Sequence, residues 1–173
     1  MSTIINVSHF ASPIGPLSLA TVEGKLVHLD FEGNDDRMQT LQTRRFRGAH
    51  WQDRTGSAPE AVTQWLEAYF AGVFQPLPWP HLRLTGTDFQ QQVWQGLTAI
   101  PTGQHRSYRA LAETLGNPRA VRAVARANAL NPVAILIPCH RVIGANGTLT
   151  GYAGGLERKA WLLEHEAANL KAV

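Results

Sequence analysis

Apolar positions in the first half of the chain fall into short runs separated by glycine and proline. Phe10 to Val22 carries a Pro13/Gly15 turn between two apolar segments, the signature of a hairpin. Glu23-Gly24 turns the chain again, and Lys25 to Phe31 reads as a third strand. Asp35 to Arg47 is polar, with a helical pattern that has no decisive face. Ser57-Ala58-Pro59-Glu60 reads as a helix start: a capping serine, proline in the first turn, and an acid three residues on. Val62, Trp65, Leu66, Tyr69 and Phe70 then recur at helical spacing, which predicts a buried stripe ended by Gly72. Gln75 to Leu84 is an extended, proline-stiffened connector, and the domain boundary is expected near Thr85.

The second half is denser in helix signals. Phe89, Val93, Trp94 and Leu97 form an amphipathic helix behind Thr87-Asp88, stopped by Ile100-Pro101. Ser107 can cap a second helix, Tyr108 to Leu115, and Gly116-Asn117-Pro118 leads at once into a third, Arg119 to about Leu130. Two helices joined by a short glycine-containing turn make a helix-turn-helix candidate, a pairing that ordinary cores also contain. The last of these helices is rich in alanine, which favours helix and keeps its surface thin. Val133 to Pro138 is predicted to be a buried extended segment leading into Cys139. Asn146-Gly147 is a turn, Gly151 to Gly155 a glycine-permissive loop, and Leu156 to Glu166 a closing helix with Leu156, Ala160, Trp161 and Leu163 toward one side.

The fold class expected is mixed α/β (α+β). Residues 1–84 give a small N-terminal supporting domain with an antiparallel sheet, a helix and the connector. Residues 85–173 give a mainly helical domain with the helix-turn-helix. A content of 44% hydrophobic and 17% charged residues fits a foldable globular chain. Apolar runs fall well short of the ~20 residues of a membrane span, and Met1 to Phe10 has no secretory pattern. One cysteine excludes an internal disulfide and fits a reducing, cytoplasmic setting.

Charge adds position more than magnitude. The net charge is +3, yet Arg106, Arg109, Arg119, Arg122, Arg126 and Arg141 are accompanied between them only by Glu113. Such an excess suits a phosphate backbone, although on charge alone a solvated helix face is the preferred account. Cys139 is the only evident nucleophile. Alone it would read as a buried small side chain, but His140 and Arg141 follow it, and both favour the attacking thiolate. His165 and Glu166 are further acid–base candidates or simply a solvated helix end. The histidines (His9, His28, His50, His81, His105, His140 and His165) show no ligand spacing, and no phosphate-binding glycine motif is present. Neither a metal nor a cofactor is expected.

Ile137-Pro138-Cys139-His140-Arg141-Val142 resembles the active-site signature of the O6-alkylguanine-DNA alkyltransferases, or methylated-DNA–protein-cysteine methyltransferases. The likeness extends over Thr85 to Glu166, through Val93-Trp94, Ser107-Tyr108, Leu115 to Pro118, Arg122-Ala123-Val124, Asn131-Pro132, Gly151-Tyr152 and Lys159. The N-terminal half resembles the bacterial members more weakly, at Ser12 to Pro16 and Leu66 to Gly72. The resemblance implies single-turnover, irreversible transfer of an alkyl group from O6-alkylguanine, and from O4-alkylthymine, to Cys139 after base flipping. It implies that His140 acts through a water as base, that Glu166 orients it, and that Tyr108 donates a proton to the leaving base. It implies DNA contact through Arg122 as a finger, with Ala123, Arg126, Tyr108 and Asn131, in the minor groove of duplex DNA. Val142, Tyr152 and Ala153 would line the base pocket, and the protein would act as a monomer with no membrane association.

Two departures stand out. Arg109 replaces the usual glycine after Ser107-Tyr108, and Ala125-Arg126 follows Arg122-Ala123-Val124 where glycine is common. The zinc-binding cysteines of some relatives are absent. Two other functions remain open at this level: a lesion-sensing module with an inert thiol, which would bind without a change in mass, and a small-molecule thiol transferase, which would turn over without salt-dependent binding.

Overall fold

Gly15, at φ 107°, closes the first hairpin between β1 (Ile4–Ser12) and β2 (Gly15–Val22), and the Ser12 hydroxyl donates to its carbonyl. β3 (Lys25–Phe31) pairs antiparallel with β2, with an irregularity at Ala20/Thr21. The computed structural model describes residues 2–170 and divides into two units, one ending at Thr85 and the other beginning at Gly86.

In the first unit the sheet order is β3-β2-β1-β4, and β4 (His50–Asp53) runs parallel to β1. The sequence pattern did not reveal this edge strand: Trp51 is its only residue that is not fully exposed, so no alternation marks it. β2 and β3 are buried along almost their whole lengths, as strands covered on both faces must be. α1 (Asp35–Arg45) buries Met38, Leu41 and Gln42, and Met38 joins Ile5, Ala20, Val22, Val27 and Phe46 in one apolar cluster. α2 (Glu60–Phe70) buries Val62, Trp65, Leu66 and Tyr69, with Phe70 half-buried against Phe10 of β1. Ser57 does not cap α2: Pro59 occupies the cap position and no side chain bonds the helix start. The connector is not uniformly extended. A 3-10 turn forms at Trp79–His81, and Leu82 then bridges Leu26, which pins the connector to the sheet.

α3 (Asp88–Thr98) opens the second unit with a reciprocal cap: the Thr87 hydroxyl accepts from the Gln90 amide, and the Gln90 side chain accepts from the Thr87 amide. β5 (Arg106–Ser107) lies parallel to β6 (Val142–Ile143), pairing Ser107 with Ile143. Ser107 caps α4 (Tyr108–Thr114) through the Ala110 amide. Residues 115–120, with Gly116 at φ 79°, turn into α5 (Val121–Ala129). Val124, Ala127 and Asn128 face inward, and the Trp94 indole of α3 donates to the Ala127 carbonyl at 3.0 Å.

Val133 to Pro138 is buried throughout but is not extended. Ile135 sits at φ 73°, the Leu136 amide donates to Ala134, and the Ile137 amide donates to Val133. A β-branched residue in the left-handed region is rare and held only by its surroundings. Here Asn131 does the holding: its amide donates to Ile137 O at 2.7 Å, and its side-chain oxygen accepts from the Val133 amide at 3.0 Å.

α6 (Leu156–Leu170) closes the unit and is longer than the sequence suggested. Its inner face also differs: Leu156 is 49% exposed, whereas Lys159, Leu162 and Glu166 are buried. Two charged residues occupy inner positions because each finds partners there, so an apolar pattern could not reveal the face.

Candidate active site

The Val133–Pro138 turn delivers the chain into a 3-10 turn, Cys139–Arg141, which places three consecutive side chains in the interior. Cys139 is 8% exposed, and His140 has no exposed surface. His140 Nε2 lies 2.6 Å from one carboxylate oxygen of Glu166, which reaches in from α6 and is also fully buried. Residues 26 positions apart in sequence thereby meet, while Nδ1 of His140 makes no hydrogen bond among the described residues.

Arg141 completes the arrangement. Its Nε donates to the other Glu166 oxygen at 2.8 Å, and one terminal nitrogen donates to the shared oxygen at 3.2 Å. The guanidinium also donates to Ile100 O at 2.8 Å and to the Thr102 hydroxyl at 3.2 Å. A carboxylate held this way gains both charge neutralisation and orientation. Burial works against ionisation of Glu166, but its contacts with His140 and Arg141 outweigh it, and the carboxyl sits well below the usual carboxylate range. Burial pushes His140 down from its ordinary value; Glu166 pulls the other way, and the Arg141 and Lys159 charges add to the lowering. The imidazole is therefore held neutral and able to accept a proton.

Lys159 supplies a buried cation. Its Nζ donates to Val142 O at 2.6 Å and Thr150 O at 2.8 Å, tying β6 to the following loop. Burial lowers its pKa, while the charge of Cys139, close enough to act on it, raises it. An ammonium so placed favours the thiolate over the thiol.

Other candidate residues fall into two groups. Val142 is buried directly after the 3-10 turn, while Tyr152 is half-buried and Ala153 exposed in the loop before α6. Tyr108 is half-buried at the first position of α4, and the β5–β6 pairing sets this corner beside Ile143. Asn131 is joined to the site through Ile137 O. Arg122, Ala123 and Arg126 lie on the exposed face of α5 and take no part in the relay. Arg109 is exposed and pairs with Glu113 at 3.3 Å, within its own helix. Sequence reasoning missed the roles of Arg141 and Lys159 here. A usable signal existed for Lys159, whose three- and seven-residue spacing to Leu162 and Glu166 places all three on one helical face.

A buried thiol with a neutral imidazole beside it, oriented by an ionised carboxylate, defines a protein built for nucleophilic transfer to cysteine. The chain belongs to the 6-O-methylguanine DNA methyltransferase family. Its residues 88–168 match the model of the family's DNA binding domain, and residues 5–78 match that of its ribonuclease-like domain. It is 45% identical over 157 residues to the methylated-DNA–protein-cysteine methyltransferase of Salmonella typhimurium, covering 90% of this chain and 92% of the relative. Against the Mycobacterium leprae protein of the same name it is 48% identical over 163 residues, covering 94% and 93%. The crystal structure of Mycobacterium tuberculosis OGT in complex with DNA superposes with a TM-score of 0.81 at 44% identity, covering 95% of this chain and 94% of that one. Among the described residues, no helix is long and apolar enough to cross a membrane.

Proposed function

We propose that this protein repairs duplex DNA by moving the alkyl group of O6-alkylguanine, and of O4-alkylthymine, onto Sγ of Cys139, once per molecule. The observation that carries this reading is the buried His140–Glu166 hydrogen bond next to the chain's single cysteine. Neutral His140 takes the thiol proton through a water on its Nδ1 side, and the Lys159 ammonium steadies the thiolate. The sulfur attacks the alkyl carbon as the carbon–oxygen bond breaks. A proton from Tyr108 lets the base leave neutral, and the proton held by His140 returns through water to the tyrosine. The product thioether has no route back, so the protein is consumed.

The second unit serves as the DNA-binding and acceptor domain, and residues up to the connector support it. A base inside a duplex is out of reach of a buried thiol, so it must be flipped into a pocket formed by Val142, Tyr152 and Ala153. The exposed Arg122, Ala123 and Arg126 face of α5 enters the minor groove, with Arg122 filling the gap left by the base and Asn131 tying helix to active-site turn. Small side chains permit close approach to the backbone. The protein works as a monomer in the cytoplasm and needs no cofactor.

Intact-protein mass spectrometry after mixing with an oligonucleotide duplex containing one O6-methylguanine tests this directly. One added methyl per protein, absent from Cys139→Ala, is expected. Tight binding without any mass change would instead leave a lesion-sensing module.

A further inference from the structure

α1 in the first unit presents two faces of different character. Met38, Leu41 and Gln42 point inward, while Gln39, Thr40, Thr43, Arg44 and, just past the helix, Arg47 are exposed and line one shallow concave surface. These positions are three or four apart, so they form a continuous stripe. From Arg37 to Gln52 the chain carries four arginines and no acid. Asp35 and Asp36 lie at the helix start, where they complement its dipole. They are removed from Arg44 by about two turns, roughly 12 Å along the axis, which exceeds the screening length of about 8 Å at physiological ionic strength.

Tertiary structure adds a further cation. The Arg83 guanidinium lies over the Phe46 ring, 5.1 Å from its centroid, and Phe46 sits between Arg45 and Arg47 in sequence. Arg37 is engaged, donating to Asp30 at 2.7 Å. Among the described residues, Arg44, Arg47 and Arg83 form no ion pair with a carboxylate. Nothing in the relay of the second unit uses this surface.

We propose that the Thr40–Arg47 stripe is a second nucleic-acid contact that binds the phosphodiester backbone without reading sequence. Arginine supplies forked donors to phosphate oxygens, while threonine hydroxyls and a glutamine amide add neutral donors of the kind that fix a protein on a duplex. Carboxylates of an acidic protein accept from the same donors, and that occupant is the alternative outcome of the test below. The inference rests on the reading that DNA is the partner and extends it from α5 to the first unit.

Binding to undamaged duplex, followed by fluorescence anisotropy between 50 and 200 mM salt, tests it in the full-length protein. Arg44→Ala/Arg47→Ala is compared with wild type, with Arg44→Lys/Arg47→Lys and with Arg122→Ala. Each phosphate contact contributes about 0.9 to the slope of log affinity against log salt. Loss of two contacts makes the slope shallower by nearly 2, so the drop in affinity across that salt range shrinks by roughly tenfold. The lysine pair retains most of the wild-type slope, and the alanine pair still methylates Cys139 fully when a duplex with one O6-methylguanine is saturating. An alanine-pair slope equal to wild type would overturn the proposal, leaving the stripe to an acidic protein partner. Failure of wild type itself to bind duplex would instead remove the underlying DNA reading, and the two failures are therefore distinct.

Discussion

His140 Nε2 and a Glu166 carboxylate oxygen stand 2.6 Å apart with no solvent exposure on either residue, and Arg141 grips the same carboxylate from its other side. The carboxylate thus has two tasks: it orients the imidazole and balances a buried guanidinium. Replacing it by an amide separates the tasks imperfectly, because Arg141 loses its counter-charge. Glu166→Gln should lower the methyl-transfer rate by about 10²–10⁴-fold, the range expected when acid–base assistance is lost. It should also destabilise the fold by about 3–5 kcal/mol through the unpaired arginine. Single-turnover kinetics on methylated duplex and urea unfolding read the two effects separately; an unchanged rate would remove Glu166 from the relay.

Lys159 offers a second separation of roles. Its ammonium satisfies the carbonyls of Val142 and Thr150 and also acts on the Cys139 thiol. Lys159→Met keeps the bulk of the side chain and removes the charge. Two carbonyls then lose their donor, at about 1–3 kcal/mol for each that stays buried and unpaired. The thiol should also require higher pH to react. The rate of Cys139 alkylation by iodoacetamide, followed against pH, should shift its midpoint upward relative to wild type. A profile that superposes on wild type would confine Lys159 to a structural role.

What could be read in the sequence, and what could not, follows the same physics. The hairpin, the third strand, the capped helices and the Ser107 corner are local, and each depends on residues within a few positions of one another. The turn before Cys139 is not local in that sense. Val133 to Pro138 has the composition of a strand, and it is bent by backbone hydrogen bonds from Leu136 to Ala134 and from Ile137 to Val133 together with the two hydrogen bonds of Asn131, with Ile135 at positive φ. Glu166 could be read either as a relay member or as a solvated helix end, and its burial against His140 rules out the solvated end. The sequence singled out Arg141 as a neighbour of the thiol, but its hold on Glu166 could not be read there, because its partners Ile100, Thr102 and Glu166 lie 25 to 41 positions away.

Asn131 should therefore be costly to replace. In Asn131→Ala the Ile137 carbonyl and the Val133 amide both lose a buried partner, which costs about 1–3 kcal/mol apiece where water cannot enter. The strained backbone at Ile135 is then free to relax, which would move Cys139 relative to His140. Methyl transfer at saturating duplex should fall together with the thermal midpoint. Asn131→Asp, which keeps the acceptor for Val133 but loses the donor to Ile137, tests which bond dominates. If neither variant slows transfer, the turn is not what sets the thiol's position.

Acid should weaken the protein in two stages. His28 and His140 are both held below their ordinary pKa of 6.5, chiefly by burial, so the folded chain resists protons that the unfolded chain accepts. As pH falls through 6.5, the unfolded state binds more protons and stability declines. Asp30 and Glu166 act lower on the scale. Burial opposes their ionisation, but Asp30 is held down by His28, Arg37 and Asn34, as Glu166 is by His140 and Arg141. Both contribute stability that is complete above their unfolded values, near 3.8 and 4.5, and is lost as pH drops toward their lowered folded values. Urea midpoints measured from pH 8 down to pH 3 should fall first between about 6.5 and 5, then again below about 4.5. Substituting His28 by Gln should shrink the first decline to the share of His140, and it should also reduce the share of Asp30 in the second, because His28 helps hold that carboxylate down. A midpoint constant from pH 7 to 5 in wild type would mean that neither histidine is kept neutral by the fold.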